Sequence, residues 1–573
     1  MHNAPNINFA WTMLAAEECF RLGVRHAVIC PGSRSAPLAL AFARHGGIRV
    51  QVAHDERGAA FVALGIAKSS GVPAVLVLTS GTAVANALPA VVEARMSRTP
   101  LLVFAADRPP ELRDCGANQA ISQAQLLSAA TRWSCDMPCP TIDTRAEFVL
   151  STIDEAFARA CGTAGAQAGA VHINWQFREP LAPDVVAWDV AWLWSIVRWT
   201  KDASRAPWRV SGAPTPSSVV VDNAIVVAGR CDSLTALSLV KWRGTLLADV
   251  TSELAASNTA GADLVLRAVC DGDGNTELRE ALRVEALAVV GDALVSKRLN
   301  AWISQQEGVT VFGVGDPRMD SFHRASGVYA APVLFEADAK LAPHAGWKRA
   351  LSCATKAAGK ALASERTLTE PTAIADATAA CAAHQHGTIF YGSSMPIRDA
   401  DVFALHPPKG WSAGSNRGAS GIDGLLATAV GHALASEQPV VAFVGDVSML
   451  HDLNSLQLAS RVETPLVIVL LNNDGGGIFR YLPIAKNAAV TPLEFAQCFT
   501  TPHGRSFALI AKAFGLACET PTTRAALSKA VMKALRRGGA TMIEVVCTAQ
   551  ASEEVRARVV TASTTALSRE FRA

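Results

Sequence analysis

Two short runs in the carboxy-terminal third of the chain carry residue types suited to holding a divalent cation against a diphosphate: Gly445-Asp446-Val447-Ser448 and Asn472-Asn473-Asp474-Gly475-Gly476-Gly477. Mg²⁺ requires near-octahedral oxygen ligation and is usually held by one or two carboxylates together with ligand phosphates. Asp446, Asn473 and the Gly475 carbonyl make a half-shell of that kind, which two diphosphate oxygens and a water would complete; Mn²⁺ would serve in place of Mg²⁺. Gly445 and Ser448 are candidate contacts to the same ligand. Both runs follow apolar segments, 440–444 (VVAFV) and 466–471 (LVIVLL), which read as buried strands delivering Asp446 and Asn473 to one sheet edge. Taken alone, an ordinary strand-end Asp and an Asn-Gly turn would explain these residues equally well.

The positioning elements recur along the whole chain. In residues 1–190, short apolar runs (27–29, 48–53, 74–78, 100–104 and 171–173) alternate with helical stretches at 9–22, 57–68 and 83–95. Such alternation predicts a parallel sheet covered on both faces. Residues 191–365 repeat the rhythm with 225–227, 246–248, 287–290 and 309–312, and residues 366–573 repeat it with 388–390, 440–444, 466–471 and 542–546. The expectation is an α/β protein of three doubly wound parallel-sheet domains, with linkers near 178–183 and 362–371 where proline and polar residues interrupt the rhythm. In the central domain, Ala228-Gly229-Arg230 and Gly313-Val314-Gly315 follow strands, but neither completes Gly-x-Gly-x-x-Gly. No FAD or NAD is expected there.

Composition narrows the partners. With 52 basic against 50 acidic side chains, 18% charged residues and 50% hydrophobic ones, nothing points to a nucleic acid or an acidic membrane, and small-molecule partners are expected. No basic segment followed by an apolar one opens the sequence, and no run approaches 18 apolar residues, so a cytoplasmic protein is expected. The thirteen cysteines are scattered and read as free thiols.

The Gly-Asp and Asn-Asn elements, separated by a helix and a strand, are similar to the thiamine diphosphate signature, from which Val447 departs where a glycine is commoner. That resemblance implies domains of the thiamine diphosphate enzyme type: pyrimidine-binding (1–190), central (191–365) and diphosphate-binding (366–573). It also requires a Glu at a strand end in the first domain, to share a proton with the cofactor's aminopyrimidine; Glu56 in Ala53-His54-Asp55-Glu56-Arg57-Gly58 fits. By itself Glu56 would equally be a helix-terminal acid favoured by the dipole. More specifically, Cys30-Pro31-Gly32-Ser33-Arg34-Ser35-Ala36-Pro37, Ala106-Asp107-Arg108-Pro109-Pro110, Cys115-Gly116-Ala117-Asn118-Gln119, Ser296-Lys297-Arg298-Leu299, Ser394-Met395-Pro396-Ile397-Arg398-Asp399 and Ser415-Asn416-Arg417-Gly418 resemble the 2-succinyl-5-enolpyruvyl-6-hydroxy-3-cyclohexene-1-carboxylate synthase family.

The resemblance implies a transferase of menaquinone biosynthesis that decarboxylates 2-oxoglutarate and adds the succinyl unit to isochorismate in 1,4 fashion. Those substrates bring four carboxylates, so fixed cations and hydroxyl or amide donors are needed. Arg34, Arg108, Lys297, Arg298, Arg398 and Arg417, with Ser33, Ser394, Asn118 and Gln119, are the candidates: Ser33 and Arg34 for isochorismate, Arg398 and Arg417 for the distal carboxylate of 2-oxoglutarate. Ile422 matches the aliphatic residue that bends the cofactor, and Ile478, Phe479 and Leu482 would form an apolar wall. No His-His pair stands beside Glu56, only His54, and a site poor in proton donors would preserve a nucleophilic carbon for carbon–carbon bond formation. A homodimer is the implied minimum, with a dimer of dimers left open. A different thiamine diphosphate decarboxylase or an acetohydroxyacid synthase-like carboligase would share the clamp and Glu56 but not the arginine set.

Overall fold

The long apolar runs become central strands of parallel sheets, buried on both faces. The computed structural model describes residues 3–572 except 164–166, 210–215, 220–223, 253, 255–260, 271–275, 307–309, 315–322, 324, 330–331, 336–343 and 406–407. The first sheet contains β1 (His26–Ile29), β2 (Arg49–Val52), β3 (Ala74–Leu78), β4 (Leu101–Asp107), β5 (Trp133–Met137) and β6 (Ala170–Gln176), in the order β2-β1-β3-β4-β6-β5. Among central strands, β8 (Ala224–Ala228), β9 (Leu246–Ala248), β10 (Ala286–Val290), β11 (Thr310–Val314) and β12 (Ala325–Tyr329) form a five-stranded sheet, beside a two-stranded one of β7 (Ser217–Val219) and β13 (Val333–Phe335). The last sheet holds β14 (Gly387–Tyr391), β15 (Trp411–Gly414), β16 (Val440–Gly445), β17 (Leu466–Asn472), β18 (Ala517–Glu519) and β19 (Ala540–Val546), ordered β15-β14-β16-β17-β19-β18. This repeats the first sheet's order strand for strand. In both, the winding reverses between the first and third strands, and the crevice at such a reversal is where open α/β sheets bind ligands.

Packing divides the chain into two compact units, one of residues 1–214, 418–437 and 452–459, the other of 215–417, 438–451 and 460–573. The first is built on Trp11, Phe42, Phe104, Trp175 and Phe177. In the second, one core joins Ile225, Trp302 and Trp347 to Val555 of the carboxy-terminal helix and to Phe571, which caps it, and another gathers Tyr391, Phe443 and Ile543 around the last sheet.

Several details depart from the sequence reading. The helix expected over 83–95 is two, Thr82–Asn86 and Leu88–Met96, because Pro89 cannot donate the N–H that continuity requires and instead opens the second helix. Strands β5, β7, β12, β13, β15 and β18 lie outside the expected runs; each is at a sheet edge, where no continuous apolar run is needed. Residues 362–364 of the expected second linker still belong to the helix Ala345–Ser364. Position 309 of an expected strand and Gly315 lie outside the described residues. Gly229 and Gly291 have a packing role: a Cβ on Gly229 would stand 2.4 Å from the Asp292 carbonyl oxygen, and one on Gly291 2.2 Å from that of Arg230. Two strand-end loops therefore close directly on each other. The thirteen cysteines are free, and among the described residues no helix is long and apolar enough to cross a membrane.

One buried pair gives the first unit a pH-dependent stability. Glu18 accepts hydrogen bonds from the Trp199 indole N–H (2.9 Å) and the Trp208 backbone N–H (2.7 Å). Burial, and then the neighbouring Glu18, push the Asp154 carboxyl up from its ordinary 3.8. An acid with a raised folded pKa contributes most below its unfolded value, and that contribution is lost as pH rises toward the folded value. Asp154→Asn is therefore expected to flatten the fall in stability between pH 5 and 8, gaining on the order of 1 kcal/mol at pH 8. Calorimetric unfolding at the two pH values reads it; parallel curves for parent and variant would contradict the assignment.

Candidate active site

At the winding reversal of the last sheet, β16 ends at Gly445 and Asp446 opens the short helix Asp446–His451, while β17 ends at Asn472 and hands over to Asn473. The Asp446 carboxylate is fixed on both oxygens: Val447 N–H donates to Oδ1 (2.7 Å), and Gly475 N–H (2.9 Å) and His503 Nε2 (3.2 Å) reach Oδ2. His503 Nδ1 accepts from Arg505 N–H (3.0 Å), which leaves the proton on Nε2. Burial raises the pKa of Asp446 and these donors oppose it. Ser448 is buried in the same turn.

The two asparagines do different work. Asn472 is structural: its Nδ2 donates to Glu544 Oε1 (2.8 Å) and the Arg505 carbonyl (3.1 Å), and its Oδ1 accepts from Asp474 N–H (3.2 Å). Asn473 donates through Nδ2 to Glu370 Oε1 (2.9 Å), and its Oδ1 is buried with no hydrogen-bond partner. A buried amide oxygen in that state is costly unless something absent from the protein takes it. Gly475 has φ +133°, and a Cβ there would lie 2.0 Å from the Thr500 carbonyl oxygen, so only glycine lets this loop return past Asn473. The donor set of carboxylate, amide and carbonyl oxygens fits Mg²⁺. Among the described residues no group of three or more His, Cys, Asp or Glu forms a competing metal centre. Ile478 and Phe479 sit half-buried in the 3₁₀ turn Gly477–Tyr481, with Phe479 packed on Phe499 (5.6 Å) and Leu482 capping the turn.

The same unit brings several expected cations together. Ser394 has φ +74° at the start of the helix Met395–Phe403, an unfavourable conformation for a non-glycine residue of the kind that gathers at functional sites. Arg398 Nη1 donates to the Ser394 carbonyl (2.5 Å). Burial, and then the charge of Arg417, lower the Arg398 pKa, so the two guanidiniums are close enough to repel. Arg417 also acts on the buried Asp249 and Asp401. Asp249 accepts Val295 N–H (2.9 Å) and Asp263 accepts Ser296 Oγ–H (2.7 Å), which ties the start of the helix Lys297–Ser304 to that carboxylate cluster. Lys297 itself is exposed and Arg298 half-buried.

The other unit holds Glu56, Ser33, Arg34, Arg108, Asn118, Gln119 and Ile422. Glu56 is the first residue of the helix Glu56–Ser70, whose N-cap Asp55 accepts from Arg57 N–H (2.9 Å) and Gly58 N–H (3.3 Å) and from Asn454 Nδ2 (3.0 Å). Its own carboxylate is half-buried and accepts a long 3.4 Å bond from Asn86 Nδ2. Bare glycines let this helix press on the helix Leu425–Ser436: a Cβ on Gly65 would meet the Thr428 carbonyl at 2.1 Å, and one on Gly431 that of Val62 at 2.2 Å. The buried Lys68–Glu93 pair (2.9 Å) then holds the loop bearing Ile422, since Glu93 accepts from Gly418 N–H (3.1 Å) and Ala419 N–H (2.7 Å). His54 Nδ1 lies 2.9 Å from Gln457 Oε1.

At the reversal of the first sheet, the loop carrying Ser33 and Arg34 lies over Thr79, 2.3 Å from where a Cβ on Gly32 would be. Arg34 Nη1 donates to the Phe177 carbonyl (2.9 Å), and its buried Nε has no partner. Arg108 is buried, donates to Ser80 Oγ, and has its pKa lowered by burial and then by Arg34. Gln119, at φ +56°, donates to the Ser80 carbonyl (2.8 Å), whereas Asn118 is exposed. Ser80, absent from the sequence reading, carried a findable signal: Thr79-Ser80-Gly81 follows β3 at the reversal point. Glu370 and His503 carried none, since their partners are remote in sequence.

Three family models match the chain: the N-terminal TPP binding domain of thiamine pyrophosphate enzymes over residues 12–126, a middle domain over 190–389, and the C-terminal TPP binding domain over 396–545. Among curated relatives, the 2-succinyl-5-enolpyruvyl-6-hydroxy-3-cyclohexene-1-carboxylate synthase of Salinibacter ruber is 38% identical, covering 95% of this chain and 94% of its own. Proteins of the same name from Rubrobacter xylanophilus (39% identical, 95% and 96% covered) and Aeromonas salmonicida (38%, 92% and 93%) are similar to it as well.

Proposed function

The chain belongs to the 2-succinyl-5-enolpyruvyl-6-hydroxy-3-cyclohexene-1-carboxylate synthase family of thiamine pyrophosphate enzymes, and from that premise we propose that it decarboxylates 2-oxoglutarate and adds the remaining succinyl unit to isochorismate in menaquinone biosynthesis. Thiamine diphosphate, when bound, supplies a nucleophilic thiazolium carbon and an electron sink for the decarboxylation. Asp446, Asn473 and Gly475 hold Mg²⁺ or Mn²⁺, with Gly445 and Ser448 against the diphosphate. Glu56 holds a proton at N1′ of the pyrimidine. Ile422 would pack against the cofactor, and Ile478, Phe479 and Leu482 would exclude water. Residues 1–190, 191–365 and 366–573 act as pyrimidine-binding, central and diphosphate-binding domains, and two copies of this chain in the cytoplasm make the working unit.

The observation that carries the substrate assignment is a pair of repelling guanidinium couples, Arg34 with Arg108 and Arg398 with Arg417. Like charges gathered at low exposure repel; the nearby carboxylates of Asp107 and Glu179 and of Asp399 offset this without reversing it, and two dicarboxylic acids would supply two further anionic targets. Arg398 and Arg417, with Ser394, bind the distal carboxylate of 2-oxoglutarate. Arg34, Arg108, Ser33, Asn118 and Gln119 bind isochorismate, with Lys297 and Arg298 as further carboxylate anchors. Arg398→Met is expected to raise KM for 2-oxoglutarate about ten- to a hundredfold and leave that for isochorismate nearly unchanged, and Arg34→Met to do the reverse. Steady-state kinetics with each substrate varied reads the split; equal changes in both constants from either variant would contradict it.

A further inference from the structure

Behind Asn473 lies a buried chain of charges that the reaction as described does not use. Glu370, the first residue of the helix Glu370–Ala380, is 3% exposed and receives Asn473 Nδ2 on Oε1 (2.9 Å) and Arg556 Nη2 on Oε2 (2.7 Å). Arg556, on the carboxy-terminal helix Ala549–Glu570, also grips Asp399 with a two-pronged contact, Nε to Oδ1 at 2.7 Å and Nη2 to Oδ2 at 2.5 Å. Its Nη1 donates to the Tyr481 hydroxyl at 2.6 Å. Asp399 directly follows Arg398, and Tyr481 ends the turn that carries Ile478 and Phe479. One guanidinium therefore spends its donors on three segments: the one that orients Asn473, the one that bears Arg398, and the one that forms the apolar wall.

An asparagine amide presents its oxygen or its NH₂ depending on a rotation of half a turn, and only the oxygen ligates a metal. Glu370 accepts and cannot donate while ionised, so it selects the rotamer in which Nδ2 points back and Oδ1 points away. Partners behind a ligand that fix its orientation typically alter metal affinity about ten- to a hundredfold when removed. We propose that Glu370 and Arg556 are positioning residues: Glu370 sets the ligating face of Asn473, and Arg556 couples that setting to the 2-oxoglutarate-reading helix through Asp399. The inference rests on the metal and substrate roles given above.

The test is Mn²⁺ titration of the full-length protein with thiamine diphosphate present, following free Mn²⁺ by electron paramagnetic resonance, together with KM for 2-oxoglutarate at saturating Mn²⁺. Glu370→Ala is expected to weaken Mn²⁺ about ten- to a hundredfold with KM changed less than twofold. Arg556→Lys, which keeps the charge but loses the fork, is expected to weaken Mn²⁺ and raise KM together. Glu370→Gln, of nearly the same size, covers the case in which the alanine variant does not fold; its amide can meet Asn473 with either face, so a weakening of several-fold is expected. A parent that binds no Mn²⁺ would overturn the metal assignment itself. A parent that binds, with Glu370→Gln and Glu370→Ala binding as tightly, would overturn this inference alone.

Discussion

Glu56→Gln is expected to lower turnover by roughly two to four orders of magnitude, the span that a positioned proton-transferring group contributes, while thiamine diphosphate and Mn²⁺ still bind. The substitution preserves volume and leaves the Asp55 cap of the helix Glu56–Ser70 in place. The close packing of that helix through Gly65 and Gly431 is also untouched, so the fold has no reason to change. What the glutamine lacks is the ability to exchange a proton with a ring nitrogen. Cofactor binding by fluorescence quenching and turnover under saturation separate the two effects. Turnover equal to the parent would refute the role of Glu56.

Asp446→Asn has the second large effect, on retention of the cofactor. The variant keeps one oxygen, enough for the Val447 N–H on Oδ1 or the Gly475 N–H on Oδ2 but not both, and it removes the carboxylate charge proposed to hold the metal. Losing one partner of a desolvated charge pair costs on the order of 2–5 kcal/mol, which corresponds to a fall in metal-dependent thiamine diphosphate affinity of roughly thirty- to several-thousandfold. Titration calorimetry with Mg²⁺ in excess reads it. Affinity within twofold of the parent would show that Asp446 does not hold the metal.

The candidate clamp was legible as a pattern because it is local: Asp446 and Asn473 each stand one residue past an apolar run long enough to be a buried strand, and the runs at 440–444 and 466–471 became β16 and β17 with a residue added at the carboxyl end. Glu56 was legible only through family likeness, since an acid at a helix start is common. Glu370 and Arg556 were not legible, because their meaning lies in contacts spanning 103 and 186 residues of chain that no spacing announces. Edge strands such as β5 and β18 escaped for a related reason: partial burial leaves no apolar signature. The transfer of residues 418–437 and 452–459 to the first unit was equally hidden, since the glycines that permit it, Gly65 and Gly431, look like weak points in helices until their neighbours are seen.

The most direct measurement supplies the purified protein, loaded with thiamine diphosphate and Mg²⁺, with 2-oxoglutarate in the presence and absence of isochorismate, and follows CO₂ and product mass together. Carboligation between the two predicts CO₂ release that rises with isochorismate, equimolar with its consumption, and a product whose mass is the sum of both substrates less CO₂. CO₂ release indifferent to isochorismate, with free aldehyde as the product, would contradict the account.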